Sequence, residues 1–356
     1  MSFTSWRRFV ALCAVLLGIA FVAPVFVETV QAQQPSRVNP TESSVKEQQL
    51  LEALKPGGQQ SISGRASIPD SRATSIIQPA GLDWRVWRDT TLPRIGAISI
   101  VGMLVLLLAF LAFRGRVKID AGFSGRTIER FKPIERFAHW LTATAFMVLG
   151  FTGLNVTFGR SLLLPVMGPE AFTAFAQWAK YMHNYMSVAF VIGLAMMFVM
   201  WVVYNLPMPS DFRWVAQGGG IFGKKHPPAG KFNAGQKLIF WTTMVGGTAM
   251  AATGYAMMFP FYAAPVGASY SGTMEGLQWV TVWHGIIGLI MIAIILAHVY
   301  IGTIGMQGAF SSMGSGKVDV NWAKQHHSIW ADRVVPMDGA GKPAPGELVV
   351  ARLRLT

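Results

Sequence analysis

HGIIGLIMIAIILAH, residues 284–298, is an apolar run with a histidine at each end. It sits inside a longer hydrophobic block, Leu277–Met306, of the length a helix needs to cross a bilayer. The two histidines are 14 residues apart. At about 100° per residue that is nearly four turns, so both rings leave the helix on nearly the same face. The rise between them is about 21 Å, which puts one near each surface of the lipid.

Four further blocks of this kind precede it: about Leu92–Phe113, Ile134–Phe158, Trp178–Leu206 and Gly235–Phe259. The chain of 356 residues is 52% hydrophobic and 13% charged, with a mean hydropathy of +0.40. A large soluble core rarely needs five such blocks, so the reading is an all-α membrane protein. The formal net charge of +13 is not a nucleic-acid footprint, because Lys and Arg gather at span ends and in short loops. Arg114, Arg116 and Lys118 close the first span. Arg126, Arg130, Lys132 and Arg136 open the second, and Arg213, Lys224, Lys225 and Lys231 follow the third. Residues 159–180 hold only Arg160 and Lys180, and residues 260–276 hold none. The charge bias therefore puts the C-terminal tail inside and the N-terminal tail outside.

The N-terminus predicts the same topology. Residues 1–32 read as a signal peptide: Arg7 and Arg8, an apolar stretch Val10–Val27, and Val30-Gln31-Ala32 as the cleavage site. An uncleaved anchor is the alternative. Residues 33–90, rich in Gln, Ser, Pro and Gly, read as a flexible periplasmic segment with a short helix at Val45–Lys55. Trp84 and Trp87 fit an interfacial aromatic belt. Cys13 is the single cysteine, which excludes iron–sulfur ligation, cysteine zinc sites and c-type haem attachment within this chain.

Four of the seven histidines, His139, His183, His284 and His298, fall inside spans. An ionisable group in a membrane helix is costly and by default functional. A lone one could be a hydrogen-bonded packing residue; four at matched depths are harder to explain so. His139 lies early in a span running outward, near the inside. His183 lies early in a span running inward, near the outside. Depth matching pairs His183 with His284 and His139 with His298. Two neutral imidazoles fill both axial positions of a haem iron, leaving no open site and favouring electron transfer. A shared zinc or copper ion is the poorer reading, because the two levels lie too far apart. Gly150, Gly153, Gly193, Gly285 and Gly288 leave room for a flat macrocycle or, equally, for close helix packing. His226, His326 and His327 read as surface or partner-contact residues.

Arg130-Phe131 and Glu135-Arg136-Phe137-Ala138-His139-Trp140 resemble the first ligand helix of the cytochrome b (gamma) subunits of membrane-bound formate dehydrogenases. Met182-His183 resembles the second, and His284 with His298 the fourth core helix. Lys231-Phe232-Asn233-Ala234-Gly235-Gln236-Lys237 resembles the quinone-site segment of that family. Gly316-Lys317-Val318 with Trp322-Ala323-Lys324-Gln325-His326-His327 resembles its cytoplasmic tail. The resemblance covers about residues 126–335; residues 1–125 add the signal peptide, the polar tail and one more span. It implies two b haems on His139, His183, His284 and His298, and quinone (menaquinone or ubiquinone) contacts from Asn233, Gly235 and Gln236. It further implies an iron–sulfur beta subunit and a catalytic alpha subunit as partners, in a bacterial inner membrane. Asn233 and Gln236 also fit a helix capping box, and both roles can hold.

The expected architecture is thus a four-helix transmembrane di-haem cytochrome b bundle over 126–306, plus one extra N-terminal transmembrane helix in 91–125 and a cytoplasmic tail over 307–356. The histidine set is shared with cytochrome b subunits of nickel–iron hydrogenases and thiosulfate reductases, which remain alternatives. So do a histidine-relay proton-coupled transporter and a purely structural anchor.

Overall fold

The computed structural model describes residues 79–220, 226–260 and 273–335. The expected signal peptide, the Val45–Lys55 helix, Lys224, Lys225 and the chain after 335 lie outside these residues. The described residues from Trp84 onward belong to one compact unit.

Helix α1 (Pro79–Val86) passes through a π-helical turn at Trp87–Thr91 into α2 (Leu92–Arg114). Residues 79–90, expected to belong to the flexible segment, are therefore helical and lengthen the first apolar helix to Gly81–Arg114. Trp84 Nε1 donates to Thr281 Oγ1 at 2.9 Å, and Trp87 meets Trp279 edge-on. These tryptophans tie the helix start to a neighbour as well as suiting an interface.

After β1 (Thr127–Glu129) come α3 (Pro133–Leu162), the short α4 (Leu164–Met167) and α5 (Pro169–Trp201). Next are α6 (Pro209–Ala216), α7 (Ala234–Met258) and α8 (Met274–Tyr300). Local chemistry sets several of these ends. Pro133 and Pro169 sit in first turns, where a missing N–H is harmless. Glu135 Oε2 caps the Lys132 N–H at 2.8 Å. The expected third span begins at Trp178, but the helix starts about two and a half turns earlier at Pro169, after Gly168 at φ 77°.

α3 packs along α5, and α7 along α8; α5 meets α7, and α8 meets α3 more sparsely, which closes a four-helix ring. α2 stands outside the ring against α8, where Gly96 faces Phe158 and Leu289, and Gly285 faces Leu92. Among the described residues, four helices are long and apolar enough to cross a membrane: Gly81–Arg114, Pro133–Leu162, Pro169–Asn205 and Met274–Gly305. Helix α7 is long enough at 25 residues, but Thr, Gly and Ala dilute its apolar content. Phe113, Phe151 and Val156 are strongly exposed, as lipid-facing side chains are. The chain is an integral membrane protein.

The tail is more than a polar extension. β2 (Lys317–Asp319) pairs antiparallel with β1, Ile128 opposite Val318, a small ribbon not expected of an all-α chain. The short helices α9 (Ser311–Gly314), α10 (Val320–His326) and α11 (Ser328–Val334) follow the membrane segment. Ile119, Ile128, Val318, Val320, Trp322 and Ala331 form a second core there, separate from the α3–α5–α7 core around Phe190, Leu194, Trp201 and Phe240. This tail and its β1–β2 pair mark one end of the bundle, the ribbon end.

Candidate functional site

The four membrane histidines meet in two pairs across the ring. His139 on α3 faces His298 on α8, with ring centroids 6.2 Å apart and planes at 57°. His183 on α5 faces His284 on α8, also at 6.2 Å, with planes at 64°. His139 lies near the start of α3 and His298 near the end of α8, so theirs is the ribbon-end pair. The other pair is distal. Along α8 the two levels are about 21 Å apart.

The gap within each pair suits one metal bonded to both rings. Two imidazoles, each about 2 Å from a shared iron, place their centroids roughly 6 Å apart. The rings are not hydrogen-bonded to each other.

Each distal ring is held from its far side. Thr152 Oγ1 lies 2.7 Å from His183 Nδ1, and Thr253 Oγ1 lies 2.8 Å from His284 Nδ1. Both threonines donate their single proton backward along their own helix, Thr152 to Val148 O and Thr253 to Ala249 O, each at 2.7 Å. The hydroxyl oxygens are thus left to accept from Nδ1–H, which fixes the tautomer and leaves Nε2 with its lone pair for a metal. Beside each threonine is a glycine, Gly153 or Gly254, where a Cβ would come 3.6 Å from the Cε1 of the ring. Of these residues only Gly153 stands out in the sequence; Thr152, Thr253 and Gly254 do not. Their signal was a repeated Thr-Gly dipeptide, each threonine 31 residues before a membrane histidine. The ribbon-end pair differs. His139 Nδ1 is buried without a partner, and among the described residues no hydrogen bond reaches the His298 ring.

Other expected glycines serve packing. A Cβ on Gly193 would come 3.0 Å from the Thr142 backbone N, so α3 and α5 touch there at backbone distance. Gly288 faces Met250 and Gly150 faces Ile292.

At the ribbon end, Asn233, Gly235 and Gln236 open α7. The capping box is present: Asn233 Oδ1 accepts from the Gln236 N–H at 2.9 Å, and Gln236 Oε1 from the Asn233 N–H at 3.1 Å. Gly235 lies under the Trp214 ring, 2.9 Å from where a Cβ would stand. Gln236 Oε1 also accepts from Arg130 Nη2 at 3.2 Å, leaving the Gln236 amide NH₂ for another acceptor.

Arg130 is 5% exposed and joins four segments. It donates to Ser312 Oγ at 3.1 Å and to Lys231 O at 2.7 Å, and its Nη2 lies 2.9 Å from His327 Nε2. The rings of Phe131, Trp322 and Trp330 surround the guanidinium. Burial pushes its pKa down to about 9, against the pull of Glu135. His327 was expected on the surface; it is instead 1% exposed, with Nδ1 donating to Gly230 O at 2.8 Å. Burial first, then Arg130, hold its pKa well below the usual histidine range. Burial likewise lowers His326 to about 4. His226 is more open and contacts Asp120 at 2.8 Å. One turn before His139, the largely buried Glu135 accepts from Lys231 Nζ at 2.7 Å and from Trp201 Nε1 at 2.9 Å.

A family model described as prokaryotic cytochrome b561 matches residues 130–316. That range holds all four membrane histidines and Asn233–Gln236. The chain is 30% identical over 209 residues to the cytochrome b556(Fdn) subunit of the nitrate-inducible formate dehydrogenase of Escherichia coli (strain K12), covering 58% of this chain and 90% of that one. It is 25% identical over 206 residues to the cytochrome b556(fdo) subunit of formate dehydrogenase from the same strain, covering 57% and 92%. With the formate dehydrogenase cytochrome b556 subunit of Haemophilus influenzae it shares 26% identity over 218 residues, covering 60% and 85%.

Proposed function

We propose, on the premise that the chain belongs to the prokaryotic cytochrome b561 family and among its formate dehydrogenase cytochrome b subunits, that it carries electrons across a membrane between two b haems. The observation that carries this is the two imidazole pairs, each 6.2 Å apart, at two levels of one helix.

In this reading His183 and His284 hold the distal haem, and His139 and His298 the ribbon-end haem. Haem b bound there would supply a one-electron carrier, and a pair of imidazoles at each level would favour electron transfer over oxygen chemistry. The chain's own part is to orient the rings, exclude water and keep the two levels about 21 Å apart. The distal end faces outward in a bacterial inner membrane and meets an iron–sulfur beta subunit, while formate oxidation belongs to a catalytic alpha subunit. The ribbon end faces the cytoplasm. There Asn233, Gly235 and Gln236 contact the head group of a menaquinone or ubiquinone, through the free amide NH₂ of Gln236 and the start of α7. Protons for the reduced quinone come from the cytoplasmic side, so charge separates across the membrane.

A histidine relay for proton transport finds less support. Thr152 and Thr253 direct their protons into their own helices, and the paired rings do not bond to each other.

The test is to count haems by pyridine haemochrome and redox-resolved spectra in four alanine variants of the purified protein. His183→Ala and His284→Ala should each lose the same haem, and His139→Ala and His298→Ala the other. Loss of one common haem from His139→Ala and His183→Ala, or a colourless wild-type protein, would overturn the assignment.

A further inference from the structure

We infer that Thr152 and Thr253 set the distal haem at a lower reduction potential than the ribbon-end haem, and so give electron flow its direction. The inference rests on the haem ligation proposed above. Its observation is the asymmetry between the two histidine pairs.

Both distal rings give Nδ1–H to a threonine oxygen, at 2.7 and 2.8 Å, inside an apolar bundle. Each threonine is itself polarised by donating to a helix carbonyl, at 2.7 Å. A donated Nδ1–H makes the imidazole a stronger electron donor through Nε2. Stronger donation favours the ferric over the ferrous iron and lowers the potential. At the ribbon end His139 Nδ1 has no acceptor, and no hydrogen bond reaches His298 among the described residues. Those rings are weaker donors, and the potential there stays higher. One helix, α8, therefore carries both an assisted and an unassisted ligand.

The arrangement repeats within the chain. Thr152-Gly153 stands to His183 as Thr253-Gly254 stands to His284: the same 31-residue separation, the same second contact at 3.2 Å to the carbonyl three residues back, and the same 3.6 Å glycine clearance. Coincidental threonine packing would not be expected to match in all three. Thr152 and Thr253 are positioning residues, acting on the metal through the rings they hold.

The experiment is an optical redox titration of the full-length, haem-loaded protein, comparing wild type with Thr152→Val, Thr253→Val, the double variant and the two serine variants. Valine keeps the shape and removes the acceptor; serine restores it. Each valine variant should raise the distal midpoint by roughly a tenfold step in the reduction equilibrium, about 59 mV for a one-electron couple. The ribbon-end midpoint should not move, the double variant should move further, and serine should return the wild-type value. Loss of the distal haem in the valine variants but not the serine variants also supports the role, since only the hydroxyl differs. Two retained haems with unmoved midpoints would overturn this inference and leave the ligand assignment standing. A wild type lacking haem at His183 and His284 would overturn both.

Discussion

Replacing Arg130 tests whether the ribbon end depends on its charge or on its bulk. In Arg130→Met the side chain keeps most of its volume. Three groups lose the one partner they have among the described residues: Ser312 Oγ, Lys231 O and His327 Nε2. Each buried orphan costs about 1–3 kcal/mol, so roughly 6 kcal/mol together. Against this, burial holds the guanidinium pKa near about 9 rather than 12.5. Not having to bury that charge returns roughly 5 kcal/mol. The net loss for methionine is about 1 kcal/mol. Alanine suffers the same orphans and also opens a cavity between Phe131, Trp322 and Trp330, for a total of about 3–5 kcal/mol. Thermal unfolding in mild detergent, with hydrogen exchange over residues 317–335, reads both terms. Arg130→Ala should release the tail well before the bundle melts, and Arg130→Met should release it only slightly earlier than wild type. Equal damage from the two variants would refute the reasoning, because the positive charge itself would then be indispensable.

Gly193→Ala should destabilise the α3–α5 contact by about 1–3 kcal/mol, since the new methyl meets the Thr142 backbone; thermal melts of purified protein would show it. Acid should loosen the tail. His326 and His327 are neutral when folded, with pKa values pushed below 6.5 by burial. The released tail takes up protons below about pH 6.5 and the folded one does not, so this stability is complete above 6.5 and falls as pH drops toward about 4. The slope is about 1.4 kcal/mol per pH unit for each histidine, and hydrogen exchange at pH 7 and pH 5 measures it. Gln236→Ala should slow quinone reduction severalfold with both haems retained; an unchanged turnover would leave Gln236 its capping role alone.

The pairing of the histidines was legible because it needs little more than helical period and alternating direction: 14 residues on one helix fix two levels, and topology assigns the partners. The capping box at Asn233 and Gln236 was legible for the same local reason. The threonines were not. A threonine in a membrane span commonly bonds its own helix, and only the neighbouring helix reveals that Thr152 and Thr253 also hold a ring. The ribbon escaped because its strands are three residues each and pair across 190 positions, Ile128 with Val318. His327 escaped because a polar run with two histidines and a lysine reads as surface until Trp322, Trp330 and Arg130 close over it.

Helix α8 supplies a ring to each level, so it works as an axle with two spokes. Inserting one residue between His284 and His298 would swing one spoke about 100° out of line and leave the other in place. A twist of the whole axle would unseat both at once, whereas a turn of α5, which carries His183 alone, would disturb only the distal level. The alignment of one ring in each histidine pair is therefore concentrated in the rotational setting of one rod, gripped by α7 on one flank and by α2 on another.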